Sequence, residues 1–182
     1  MSILSRFLRR TMTDPDALHI EPMRKSHLDE VMAIESVSYP APWTRGVFED
    51  ELAMQSRGSR HYLVALLAGR LVGYGGMIYM DDAAHITNIA VDVSMRRRGI
   101  ATELLLDLAW QARRAGMASL TLEVRQSNVS AQSMYQRFGF APVGVRPKYY
   151  ENRDDAIVMW CTDIQADAFR ARLEKIEAER NG

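Results

Sequence analysis

The chain has 182 residues, 47% hydrophobic and 25% charged, which is enough for one compact core and too little for a second full domain. Its 23 Lys and Arg balance its 23 Asp and Glu, which excludes binding to nucleic acid or an anionic membrane through bulk charge, so any electrostatic partner must be read locally. A single cysteine, Cys161, rules out an internal disulfide framework and fits a reducing, cytoplasmic compartment. Residues 1–16 read as a flexible leader, basic at Arg6, Arg9 and Arg10, without the apolar run and cleavage site of a signal peptide; Met12 is an alternative start. No run of about 18 apolar residues occurs, so no membrane partner is expected.

From residue 17 onward, strand and helix signatures alternate without a linker or repeat. Residues 17–23 read as a strand, and Ser26 as the N-cap of a helix carrying Leu28, Val31, Met32 and Glu35. Pro40 and Pro42 forbid helix between residues 39 and 42, and Thr44 then caps a second helix through about residue 55, with Val47, Phe48 and Leu52 on one side. Two apolar runs, 61–67 and 71–80, joined by Ala68, Gly69 and Arg70, predict an antiparallel hairpin. A strand over 85–93 leads into a basic turn, after which Ile100, Leu104, Leu108 and Ala112 form a helical stripe ending near Gly116. Leu120, Leu122 and Val124 alternate with Thr121, Glu123 and Arg125, a strand with one apolar and one polar face. Ala131, Met134, Tyr135 and Phe138 follow at helical spacing with Gly139 as the stop, then strands near 143–150 and 156–161. Residues 164–182 form a helical extension with Phe169, Leu173 and Ile176 among many charges.

The turn over 96–102 carries the clearest chemistry. Gly99 and the small Ala101 let the backbone approach a ligand, and the first amides of the helix lack internal acceptors and lie at the positive end of its dipole. Such a turn suits an anion, a pyrophosphate above all, although a basic glycine-containing turn is more often a solvated loop. It is neither a Walker loop nor a Rossmann fingerprint, and Gly73, Gly75 and Gly76 lie inside a strand pattern, where a bulge or edge is the plain reading. Glu123 on the polar strand face is a candidate general base; its carboxylate, with an ordinary pKa of about 4.3, would need raising by burial, and a plain pair with Arg125 is the competing reading. Tyr135 reads as a core aromatic with its hydroxyl at the edge, and Asn128 as a helix cap. His19, His27, His61 and His85 lack metal-ligand spacing and read as ordinary polar residues, and Cys161 as a packed thiol; no metal is expected.

The turn Arg96-Arg97-Arg98-Gly99-Ile100-Ala101 resembles the signature of the GNAT superfamily of N-acetyltransferases, Arg/Gln-x-x-Gly-x-Gly/Ala after a strand. The segments 88–92 (NIAVD), 122–128 (LEVRQSN) and 134–140 (MYQRFGF), with Pro42-Trp43-Thr44 and Tyr149-Tyr150, are similar to the ribosomal-protein-alanine N-acetyltransferase branch, over roughly residues 20–162. Departures are the leader, the charged C-terminal helix, and Ala101 where glycine is commoner. The resemblance implies an α/β fold with a mixed, mostly antiparallel sheet flanked by helices, spanning residues 17–163. It implies acetyl-CoA as co-substrate, its pyrophosphate on Arg96, Arg97, Arg98, Gly99, Ile100, Ala101 and Thr102, its pantetheine along Ile89, Ala90 and Val91, and a further contact from Asn128. It also implies Glu123 as general base, Tyr135 as general acid, the Val91 amide as donor to the thioester oxygen, and Trp43, Tyr149 and Tyr150 beside the acceptor. The acceptor so implied is a protein N-terminal α-amine, the alanine of a small-subunit ribosomal protein, with no direct nucleic-acid partner; oligomeric state is not legible. The rivals are a lysine or small-molecule amine as acceptor, or a non-catalytic acyl-CoA-binding module, which would not need Glu123 and Tyr135.

Overall fold

The computed structural model describes residues 17–181, so the expected leader at 1–16 lies outside the described residues. Seven strands form one sheet in the order β1-β2-β3-β4-β5-β7-β6: β1 (Leu18–Pro22), β2 (Arg60–Leu67), β3 (Arg70–Met80), β4 (Ala83–Val91), β5 (Ser119–Arg125), β6 (Ala141–Tyr150) and β7 (Asp154–Cys161). Among the described residues five α-helices interleave: α1 (Leu28–Ser38), α2 (Arg45–Ser56), α3 (Ile100–Arg114), α4 (Val129–Phe138) and α5 (Asp167–Asn181). Every strand pair is antiparallel except β4 with β5, joined by the crossover through α3. The α/β reading with a mostly antiparallel sheet therefore holds. None of the described helices is long and apolar enough to cross a membrane.

The alternation of side chains along the strands builds two cores. Leu63, Ala65 and Val72 face α3, α4 and α5, meeting Leu104, Leu105, Leu108, Phe138, Leu173 and Ile176. Tyr62, Val64 and Tyr74 face the other way, onto Leu28, Val31, Phe48 and Leu52 of α1 and α2. Gly76 lets the buried Tyr62 ring lie flat across β3, since a Cβ there would overlap the ring. The β3/β4 register shifts at Gly76 and Met77, so the glycine cluster marks a bulge in an interior strand and not a sheet edge.

Several boundaries move for local reasons. Ser26 does not cap α1: a single 3₁₀ turn, Lys25–His27, leads into it, and the Arg24 N–H is taken by His27 Nδ1 at 3.1 Å. β4 stops at Val91 because the Asp92 carboxylate accepts from the Ser94 N–H at 2.8 Å and starts a second 3₁₀ turn. The expected caps at Thr44 and Asn128 and the left-handed stop at Gly139 are present. The C-terminal helix is no loose appendage, because Phe169, Leu173 and Ile176 are buried in the α3/α4 core.

Candidate active site

β4 and β5 pair only from Ala83 to Ile86 against Ser119 to Leu122, although both strands run on. Beyond that point they splay, and the fork opens into a cleft of about 630 Å³. The Asp92 N–H donates to Val72 of β3, so pleat alternation turns the polar groups of Val91 and Ile89 toward the cleft. Their carbonyls confirm the direction: Ile89 accepts from the Tyr39 hydroxyl at 3.2 Å and Val91 from Arg96 Nε at 3.4 Å.

The mouth of the cleft is the N-terminus of α3. Gly99 holds φ of 78° as its N-cap residue and Arg97 is left-handed at 63°, a tight turn that aims the first amides of α3 outward. Of the sequence-predicted cofactor residues, Ile89, Ala90, Val91, Arg96, Arg97, Gly99, Ile100, Ala101, Thr102 and Asn128 line the cleft, and Arg98 does not. Asn128 is a cap first, its Oδ1 accepting from the Ala131 N–H at 3.1 Å.

Glu123 and Tyr135 line the same cleft. Glu123 is the residue next to Leu122, the last to pair across the fork, and its side chain is only 11% exposed. His85 Nε2 lies 3.0 Å from one carboxylate oxygen and Arg146 Nη1 3.3 Å from the other, and His85 Nδ1 is 2.8 Å from the Thr121 hydroxyl. The hydrogen bond from His85, aided by the Arg146 charge, outweighs burial and holds the carboxyl below its ordinary range. The expected upward shift is therefore reversed. The expected alternative partner, Arg125, turns instead to Glu151 and Asp154, pinning the β6–β7 turn, with its guanidinium 4.2 Å from the Tyr150 ring centre.

Tyr135 is buried on α4 against Phe140, ring centres 5.7 Å apart, so it is core aromatic and cleft wall at once. Burial, with Tyr150 nearby, raises its pKa and keeps the phenol protonated. Tyr150 also faces the cleft, its hydroxyl pushed up to about 12 by burial.

On the opposite face of the sheet, uncovered beyond α1 and α2, lies a hollow of about 350 Å³ whose walls include Met80, His85, Thr121, Arg146, Tyr149 and Trp160. Glu123 lines this hollow as well as the cleft. Tyr149 belongs to the hollow, while Trp43 belongs to neither: its ring packs 5.4 Å from Phe48 and its backbone N–H donates to the buried Glu35 at 2.7 Å. Sequence reasoning missed His85 and placed Tyr39 only within a turn. The signal for His85 was its position, two residues into a strand that runs parallel to the Glu123 strand. Cys161 is the packed thiol expected, pushed up to about 11 by burial.

Comparison with known proteins agrees with this geometry. The profile of the Acetyltransferase (GNAT) family matches residues 28–140. A Bacillus subtilis protein, assigned provisionally as a ribosomal protein bS18-alanine N-acetyltransferase, is 38% identical over 144 residues, 79% of this chain and 94% of its own length. The Escherichia coli K12 ribosomal protein bS18-alanine N-acetyltransferase is 31% identical over 144 residues, 77% of this chain and 94% of its own. The crystal structure of the Escherichia coli ribosomal-protein-S18-alanine N-acetyltransferase superposes with a TM-score of 0.72 at 28% identity, covering 81% of this chain and 94% of that one. On these matches the chain belongs to the GNAT family of N-acetyltransferases, whose members draw on acetyl-CoA.

Proposed function

We propose that this chain transfers an acetyl group from acetyl-CoA to a protein N-terminal α-amine, the alanine of ribosomal protein bS18, in the cytoplasm. The observation that carries the reading is that, among the described residues, Glu123 is the one carboxylate that lines both the cleft and the hollow. The names of the relatives supply the acceptor class.

The cleft fits the co-substrate. The amides of residues 97–102 and the side chains of Arg96 and Arg97 suit a pyrophosphate, and the outward backbone of Ile89 and Val91 suits an extended amide-bearing arm. When bound, acetyl-CoA supplies an acetyl group activated as a thioester. The Val91 N–H holds the acyl oxygen, Glu123 accepts the proton from the acceptor nitrogen, and the Tyr135 hydroxyl donates one to the departing sulfur. Tyr39 and Tyr150 narrow the cleft and limit water. The acceptor enters by the hollow, past Tyr149 and Tyr150; Trp43 acts on it only through the turn it anchors.

The lowered Glu123 favours an α-amine over lysine. A weak base needs an acceptor that is already neutral, and near pH 7.5 an α-amine of pKa about 7.7–8.0 is about 200- to 300-fold richer in neutral form than a lysine at about 10.4. A peptide that begins with alanine and carries an internal lysine tests the assignment by tandem mass spectrometry after incubation with acetyl-CoA. Acetyl on the terminal nitrogen is expected; acetyl on the lysine alone, or on neither amine while a small amine is consumed, overturns it.

A further inference from the structure

The last turn of α5 reaches the back of the phosphate turn. Arg180 Nε lies 2.7 Å from Glu103 Oε1, and its Nη2 donates to the Arg98 carbonyl at 3.4 Å. The pair is mostly enclosed, with 29% and 26% of the two side chains exposed. Glu103, Arg98 and Arg180 are all absent from the cleft wall, so the contact sits behind the turn and not in the path of a ligand. Gly99 joins the two sides. A Cβ at this residue would overlap the Arg180 guanidinium, so the space left by the missing side chain is filled from behind by Arg180.

The charges explain why a cation is useful there. Glu103 is the acidic residue in the first turn of α3, where a carboxylate interacts favourably with the positive helix end. An anion bound at that end competes for the same field and is repelled by a free carboxylate one turn away. An arginine paired to Glu103 cancels this repulsion without occupying the ligand's place. The helix that delivers it is well anchored: Arg113 donates to the Ile164 and Ala166 carbonyls, Arg137 pairs with Glu179, and Leu173 and Ile176 are buried.

We propose that Arg180 is a positioning residue for acetyl-CoA, neutralising Glu103 behind the pyrophosphate-binding turn so that the turn presents an uncompromised positive end to the ligand. The proposal rests on the reading that the turn holds the pyrophosphate. It makes the C-terminal helix part of the cofactor site, although no described side chain of that helix lines the cleft.

Isothermal titration of acetyl-CoA into the full chain tests it, with kcat and KM on an alanine peptide as the second readout. Arg180→Gln is expected to raise Kd and KM for acetyl-CoA about 3- to 10-fold at low salt, with kcat within about twofold of wild type. Arg180→Lys, which keeps the charge, and the double variant Glu103→Gln/Arg180→Gln, which removes the repelling carboxylate, are each expected to return Kd to within about twofold of wild type. An unchanged Kd in Arg180→Gln overturns the proposal. So does a double variant as weak as Arg180→Gln, because the loss would then come from packing of α5 and not from Glu103. Failure of the wild-type protein to bind acetyl-CoA would instead overturn the cofactor reading itself.

Discussion

Replacing Glu123 by Gln removes the proposed proton acceptor while keeping its shape, and the structure fixes how the loss should vary with pH. The His85 hydrogen bond and the Arg146 charge hold the carboxyl below its ordinary value. Even at the ordinary value of about 4.3, taking a proton from an α-ammonium of pKa about 7.7–8.0 is uphill by at least about 3.4 units, roughly 4.6 kcal/mol. In the proposed mechanism Glu123 is thus a poor base toward the waiting ammonium, and it would accept the proton as the carbon–nitrogen bond forms and the nitrogen turns acidic. The reactive species is then the neutral amine in both enzymes. Its fraction falls from above about 90% at pH 9 to about 1–2% at pH 6, so kcat/KM should fall about 50- to 90-fold across this window in wild type and variant alike. Between the two, kcat should differ by about 10²-fold at every pH, the low end for general-base catalysis. Initial rates on an alanine peptide at saturating acetyl-CoA, with titration calorimetry to confirm unchanged cofactor binding, give both numbers. A wild-type to variant ratio that widens toward pH 6 would show Glu123 deprotonating the bound ammonium, against the reasoning from its depressed pKa; a ratio near one would remove it from catalysis.

Tyr135→Phe should keep the Phe140 contact and the cofactor affinity while slowing transfer about 10²-fold, since the buried phenol stays protonated across the assay range; wild-type turnover would reduce Tyr135 to a packing residue. His61 gives a test of stability with no tie to catalysis. Burial, helped by the Arg114 charge, pushes its pKa down to about 4 from an unfolded value near 6.5, so the unfolded chain takes up a proton that the folded one refuses. The protein should lose stability as pH falls below about 6.5, by about 1–2 kcal/mol at pH 5 after allowance for partial exposure, and His61→Gln should be less sensitive to acid by that amount in thermal melts at pH 7 and pH 5. Equal acid sensitivity in the two proteins would contradict the buried neutral ring.

What the sequence made legible is what short-range physics decides. The Ile100, Leu104, Leu108 and Ala112 stripe, the Asn128 cap and the Gly139 stop are each set within one or two helical turns, and all are present. The alternation through Leu122, Glu123 and Val124 likewise put the carboxylate on the face opposite the apolar core. Ser26 failed as a cap because it lies inside the 3₁₀ turn Lys25–His27, so the chain enters the helix already turning at His27, a short lead-in that spacing does not reveal. Trp43 was assigned to the acceptor, yet Glu35, which accepts from its backbone N–H, is carried on α1, and only the assembled turn brings the two together. The sign of the Glu123 shift was beyond reach for the same reason: His85 is 38 residues away, and the two meet through a parallel pairing that a crossover helix must first create.

The pairing that hid His85 also explains why the chemistry sits where it does. Two parallel strands that remained paired to their ends would bury Glu123 between sheet neighbours and leave Val91 and Ile89 bonded to β5. Because the ladder stops at Ile86 and Leu122, the next residue on β5 is the first free of a β4 partner, and it stands at the base of the fork where it lines both the cleft and the hollow. A carboxylate at that one position can meet an amine entering from the hollow and an acyl group lying along the exposed edge of β4. Moved two residues back to Thr121, on the same sheet face, it would sit where β4 and β5 are still paired and would lose the cleft; moved two forward to Arg125, it would lose the His85 hydrogen bond that lowers its pKa. The catalytic place proposed for Glu123 is therefore a consequence of where β4 and β5 separate, and His85, on the last paired stretch of β4, is the residue that the same separation leaves within reach of it.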